Sequence, residues 1–161
     1  EGKIPSVLHY KKIDKKSIPV VKGVSEETIH KMIRACLSDD GIGLAAPQIG
    51  IFQRVFVVLV DPQTRLPLGG KPTESTDVRV FINPSFEALD KEKEKAAEGC
   101  LSVPGIQVEV PRYKKIKAKW FENGQFGLEE RTEEMNDLMA RVFQHELDHL
   151  NGISIMDRGL F

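Results

Sequence analysis

Cysteine is scarce in this 161-residue chain, with two in all, and one tryptophan and two tyrosines help hold the aromatic content to 7%. Two cysteines do not make a disulfide framework, and without the apolar core of a signal peptide they read as reduced thiols of a cytosol-like compartment. An excess of either charge is missing too: 23 basic residues against 24 acidic ones give a net charge of −1. That balance argues against a general nucleic-acid or membrane-surface binder. No apolar run approaches the roughly 20 residues that a bilayer-spanning helix needs. No internal repeat is visible, and the length suits one domain over 1–161 with enough chain to bury a core.

What is present is concentrated near the end, in Gln144-His145-Glu146-Leu147-Asp148-His149. Four residues separate the two histidines, so on a helix they share a face about one turn apart. Two imidazoles so placed can share a metal ion, with Glu146 between them as a general base toward water. Asn136 or Asp137 can cap the helix start, Leu138, Val142 and His145 recur at helical spacing, and Gly152 marks the stop. The plainer alternative is a solvent-facing helix that holds two histidines. Catalytic sites of this kind draw three ligands from the protein. The position that supplies the third ligand in metzincins is Ile155 here, which cannot bind metal. The strongest upstream candidate is Cys100, in Glu98-Gly99-Cys100-Leu101-Ser102-Val103-Pro104-Gly105, although a free cysteine more often serves as a small buried hydrophobe.

The remaining chain reads as follows. Residues 1–24 form an uneven, lysine-rich extended arm. Ser25 caps a helix running to about residue 37 or 38, with Ile29, Met32, Ile33, Cys36 and Leu37 on its apolar face and His30 off it. Cys36 is thus read as core. Gly41-Ile42-Gly43-Leu44-Ala45-Ala46 matches the loose dinucleotide fingerprint, but it follows a helix and runs into Pro47, so that reading fails. It remains a glycine-rich loop ending in Gln48. Val55–Val60 is a buried strand, 61–77 a loop, and Val78–Asn83 a strand closed by Pro84. Asp90–Lys95 is a charged turn or edge. Strands follow around Val108 and Val110 and around Ile116, Ala118 and Trp120. Asn123-Gly124 is the hairpin turn leading to a strand with Phe126 and Leu128. Ile153–Met156 reads as a short strand. The expected fold is α+β, with short, mainly antiparallel strands around the helix carrying His145 and His149.

Gly41–Gln48, Glu98–Ser102 and Gln144–His149, in that order, closely resemble the signature motifs of peptide deformylases, and Val110-Pro111-Arg112 fits as well. The resemblance spans about residues 25 to 157. It implies removal of the formyl group from N-formylmethionine on nascent chains, with release of formate. Cys100, His145 and His149 would then hold the metal and Glu146 would be general base and acid. The Gln48 side-chain amide and the Leu101 backbone N–H would polarise the formyl oxygen. Gly43 would pair with substrate backbone, and Ile42, Leu138 and Val142 would line the methionine pocket. The metal would be Fe²⁺, with Zn²⁺, Ni²⁺ or Co²⁺ as substitutes. Two other functions stay open: a metallopeptidase on the same helix motif, and a non-catalytic domain with a structural metal. The latter normally closes its metal with four protein ligands.

Three departures from the family pattern carry expectations of their own. Residues 10–20 lack the usual amino-terminal stretch, so the arm's path is open. Asp137 stands where a glycine often opens the motif helix, which suits a cap. The sequence given ends at Phe161 without the long basic C-terminal helix of many bacterial members, as in short forms that include phage-encoded ones. A cytoplasmic monomer with weak or no ribosome docking is expected, bound to neither nucleic acid nor membrane.

Overall fold

The computed structural model describes residues 16–38, 41–69, 71–100 and 105–159. Its elements run α1 (Glu26–Ser38), β1 (Gly43–Ala45), a 3₁₀ turn (Ala46–Ile49), β2 (Val55–Val60), β3 (Asp77–Ala88), β4 (Lys93–Gly99), β5 (Gln107–Tyr113), β6 (Lys115–Gly124), β7 (Gly127–Asn136), α2 (Asp137–Leu150) and α3 (Ile155–Arg158). Five strands pair antiparallel in the order β1-β2-β3-β6-β7, and β4 and β5 make a separate antiparallel ribbon. The α+β expectation holds, with the motif helix packed against the sheet.

Why β2 is apolar without alternation follows from its neighbours. Phe56, Val58 and Val60 face α2, in a cluster with Phe81, Trp120, Met139, Phe143 and Leu147. Val55, Val57 and Leu59 face the other way, into a cluster with Met32, Ala35 and Cys36 of α1. A strand covered by a helix on each side has no wet face, so every position is buried. Each such side chain contributes about 1.5–3 kcal/mol relative to exposure. Phe143 meets Phe56 and Phe81 edge-on, at 5.3 Å in both cases, which fixes how α2 is rotated on the sheet. With Phe143 facing the sheet, Leu138, Arg141, Val142, His145 and Glu146 turn towards a cavity.

Several local expectations need correction. The strand at Val78 does not stop at Pro84. It continues to Ala88 through a register shift between Ile82 and Ser85, and Asn83 there has φ 48°. A proline is tolerated at a bulge because no ladder hydrogen bond is demanded of it there. The hairpin turn lies two residues beyond Asn123-Gly124, which pair with Leu128 and Gly127. Asn123 is drawn away to tie the arm, its side chain bonding both the N–H and the carbonyl of Val24. Phe126 consequently sits in the turn and is 94% exposed. Leu37 lies off the buried face of α1, where Ala35 takes its place, while His30 is exposed as expected. Ser25 does cap α1, accepting from the Thr28 N–H at 3.2 Å.

Ile153–Met156 is not a strand. Ser154 and Asp157 form a capping box that opens α3, a local signal that outweighs the β-branched residues on either side of Ser154. At the start of α2, neither Asn136 nor Asp137 caps through its side chain. Asp137 instead adopts φ 50°, the left-handed conformation that glycine accepts most easily. Residues 16–24 join the fold through bridges from Lys16 to Asn151 and from Ile18 to Gln53, and the chain bends at Val21 and Lys22. The arm before them lies outside the described residues. No helix among the described residues is long and apolar enough to cross a membrane.

Candidate active site

Three segments far apart in sequence converge on one cavity of about 830 Å³, lined by the Gly41–Gly43 stretch, the β4–β5 ribbon and α2. At its inner wall Cys100 Sγ lies 3.2 Å from His149 Nε2, which lies 3.1 Å from His145 Nε2. The three donor atoms fall within 4.8 Å of one another, and among the described residues this is the metal-competent cluster.

Each histidine is held by its other nitrogen. His145 Nδ1 sits 2.8 Å from Glu98 Oε1. His149 Nδ1 donates to the Ile153 carbonyl at 3.0 Å. That carbonyl is in place because α2 ends in a Schellman turn: the Gly152 N–H bonds the His149 carbonyl and the Ile153 N–H bonds that of Asp148, with Gly152 at φ 77°. Engaging both Nδ1 atoms leaves both Nε2 atoms for the metal. A thiolate, two oriented imidazoles and an open side fit a catalytic divalent ion and do not fit a closed four-ligand structural site.

Around these ligands lies a buried charge network that sequence reading did not assemble. Glu98 takes two bonds from Arg112, 2.9 and 3.1 Å long, and a further one from Arg141. Arg112 also reaches Asp148, which Arg158 of α3 grips at 3.2 Å through two nitrogens. Burial alone pushes the Glu98 carboxyl up, but His145 and Arg112 together outweigh it and hold the group at about 2. Gln144 fixes the helix from another side, its amide bonding both the N–H and the carbonyl of Tyr113. Glu98, Arg112, Gln144 and Asp148 all stood in recognised motifs. Which of them meet depends on strand register and helix packing.

Glu146 is 4% exposed, and its Oε1 has no hydrogen-bond partner among the described residues. Its Oε2 is 3.9 Å from His145 Nε2. Burial drives its carboxyl up to about 7, the range that suits a general base at neutral pH. Burial also lowers both histidines. Cys100 and Glu98 more than offset this at His145, which is held at about 10, whereas the charge on His145 pushes His149 down to about 3.

Gln48 is buried, and its Oε1 accepts the Ala45 N–H at 2.8 Å. That bond turns Nε2 towards Cys100 Sγ, 3.6 Å away. Gly43 lies in β1, an edge strand whose paired side faces β2. Ile42, Leu138 and Val142 line the cavity, Ile42 and Leu138 exposed and Val142 buried. Leu101 lies outside the described residues. Cys36 is fully buried against α1's neighbours and bonds the Gly41 carbonyl, so it takes no part in the cluster.

A helix-borne His-Glu-x-x-His pair joined by an upstream cysteine defines a metal-dependent hydrolase. The polypeptide deformylase family model matches residues 5–159. The peptide deformylase of Thermotoga maritima is 44% identical over 133 residues, covering 83% of this chain and 71% of that protein. Among solved structures, a probable peptide deformylase from Synechococcus phage S-SSM7 aligns with a TM-score of 0.77 at 34% identity, covering 92% of this chain and 97% of that one. An Acinetobacter baumannii class I type b enzyme with Met-Ala-Ser bound gives 0.75 at 29% identity, covering 91% of each. The chain belongs to the polypeptide deformylase family, whose members are metal-dependent hydrolases that remove the formyl group from an N-terminal methionine. Family and fold together assign that activity here, and neither the peptidase nor the structural-metal reading is favoured.

Proposed function

We propose that Cys100, His145 and His149 hold the metal, that Glu146 moves the protons, and that the formylated peptide lies along the free edge of β1. The observation that carries this reading is the buried Glu146 carboxylate, one oxygen without a partner among the described residues, beside three donor atoms within 4.8 Å of one another. The donor set accepts Fe²⁺, Zn²⁺, Ni²⁺ or Co²⁺, and we take Fe²⁺ as the native ion. When bound, such an ion supplies Lewis acidity, polarising a carbonyl oxygen and bringing the pKa of water to about 7.

Glu146 takes a proton from the attacking water and returns it to the amide nitrogen as the C–N bond breaks, leaving formate and a free amino group. The Gln48 amide donates to the formyl oxygen as negative charge develops there, and the Leu101 N–H is assigned the same task. Losing one such donor costs on the order of 10²–10³ in rate in other enzymes. Gly43 offers to substrate backbone the side of β1 that is unpaired among the described residues, the strand-addition mode of peptide recognition. Ile42, Leu138 and Val142 surround the methionine side chain. A cysteine ligand must stay a reduced thiol, which supports the reading of a cytoplasmic enzyme acting on nascent chains.

The test is to offer formyl-Met-Ala-Ser and unblocked Met-Ala-Ser and to measure formate and new amines. Formate from the first with no cleavage of the second supports the reading. Cleavage of internal bonds, or no formate from the metal-loaded protein, overturns it.

A further inference from the structure

A second cavity, about 200 Å³, adjoins the first and is lined by Glu94, Ala96, Arg112, Tyr113 and Lys114 together with Asp137, Leu138 and Arg141. Leu138 and Arg141 line both cavities, so these two side chains are the wall between them. They sit three residues apart on α2, on one face and about one turn from each other. Of the two, Arg141 is the strut. One guanidinium nitrogen bonds Glu98 and the Val110 carbonyl, at 2.9 Å for the latter, and the other bonds the Glu94 carbonyl. The side chain thus spans from α2 to both strands of the β4–β5 ribbon, and it is only 14% exposed. With its polar head consumed, what it offers the cavities is mainly its aliphatic stem.

We propose that Arg141 is a specificity-determining residue: it closes the methionine pocket on the side of the second cavity and sets the longest side chain the enzyme accepts at the substrate's first residue. The inference rests on the reading above that this cavity holds the methionine side chain. A linear side chain longer than methionine meets the Arg141–Leu138 wall, although vacant volume lies beyond it. Because the strut is tied at three points, moving it aside breaks charge-assisted bonds, which makes the wall a firm one. Ala96 lines the second cavity and not the first.

The experiment compares kcat/KM for formyl-Met-Ala-Ser with that for analogues carrying straight-chain side chains two to four methylenes longer. Wild type is expected to disfavour the longer side chains. Arg141→Ala should raise the long-to-methionine ratio at least tenfold by joining the cavities. Adding Ala96→Leu to Arg141→Ala should reverse that gain by refilling the second cavity from its far side. The ratio is taken within one enzyme, so any loss of overall rate from weakened support of Glu98 cancels. Should Arg141→Ala not fold, Arg141→Leu keeps an apolar stem that stops short of the strand carbonyls and is held to the same criterion. An unchanged ratio in a variant that still hydrolyses formyl-Met-Ala-Ser overturns the inference and leaves the assigned activity standing. Absence of formyl-Met-Ala-Ser hydrolysis in the metal-loaded wild type strikes at the activity itself.

Discussion

Glu146 Oε2 stands 3.0 Å from where a β-carbon on Gly43 would lie, and the Val57 carbonyl is 3.1 Å from the same point. A side chain at residue 43 would therefore press on the Glu146 carboxylate, the proposed general base, on one side and on strand backbone on the other. The backbone there cannot yield without unpairing β1 from β2, so the carboxylate would have to move. Gly43→Ala should keep the metal and the fold yet lose on the order of 10²-fold in kcat, the scale of a misplaced reacting group. Near-normal turnover would show that Glu146 has slack.

The unpartnered Oε1 of Glu146 invites the complementary change. Glu146→Gln keeps size and polarity but cannot accept a proton. It should retain one equivalent of metal by elemental analysis and lose on the order of 10²–10⁴-fold in kcat. A metal-loaded variant turning over within a few-fold of wild type would remove Glu146 from the mechanism.

Two cysteines allow a clean contrast. Cys100 touches His149 Nε2, whereas Cys36 is fully buried beside Ala35 and Met32. Cys100→Ala should bring bound metal well below one equivalent. Cys36→Ala should leave metal content and activity intact, with a modest fall in melting temperature from the lost packing. The reverse pattern would exchange their roles.

Stability in acid should report on Glu98. Its carboxyl titrates near 2 in the folded protein against an ordinary 4.5, because His145 and Arg112 outweigh the effect of burial. A depressed folded-state pKa contributes stability that is complete above about pH 4.5 and fades as the pH falls towards 2. Denaturant unfolding of metal-stripped protein should therefore show wild type more stable than Glu98→Gln near pH 6, with the gap narrowing between pH 4.5 and 2.5. Parallel curves over that window would mean that Glu98 is not held as the paired anion.

Asp137 occupies a left-handed backbone position at the start of α2. Glycine there relieves about 1 kcal/mol of strain. It also forfeits the favourable charge of an aspartate in the first turn, about 0.3–1 kcal/mol. The two nearly cancel, so Asp137→Gly should change unfolding free energy little. Asp137→Val has the strain without the charge and should cost upwards of about 1 kcal/mol. A stabilising valine would contradict the backbone assignment.

Much of the site was legible in the chain because its chemistry is local. The spacing of His145, Glu146 and His149 is a helical turn written in sequence, and β2 shows itself as an unbroken apolar run. Ile155 at the metzincin ligand position turned the search upstream to Cys100, whereas Gln48 and Gly43 drew their expected roles from the family resemblance, their loop alone being equally a plain tight connection. Where the reading went astray, a local signal was outweighed by a partner elsewhere. Asn123 carried a turn signature, but its amide bonds Val24. Pro84 looked like a terminator, but a bulge absorbs it.

Local sequence alone carried the helical face that sets Glu146 between two histidines, the alternation that makes half-buried strands, and the apolar stripe that commits Cys36 to the core. These follow from periods of 3.6 and 2, which every residue obeys without reference to distant chain. Long-range packing had to bring Glu98 to His145, Arg112 and Arg141 to Glu98, and the Ile153 carbonyl back to His149. Charges have no register of their own. Which carboxylate meets which guanidinium is set by how the β4–β5 ribbon pairs and how Phe143 seats α2 on the sheet. That long-range packing turns a motif into an oriented site.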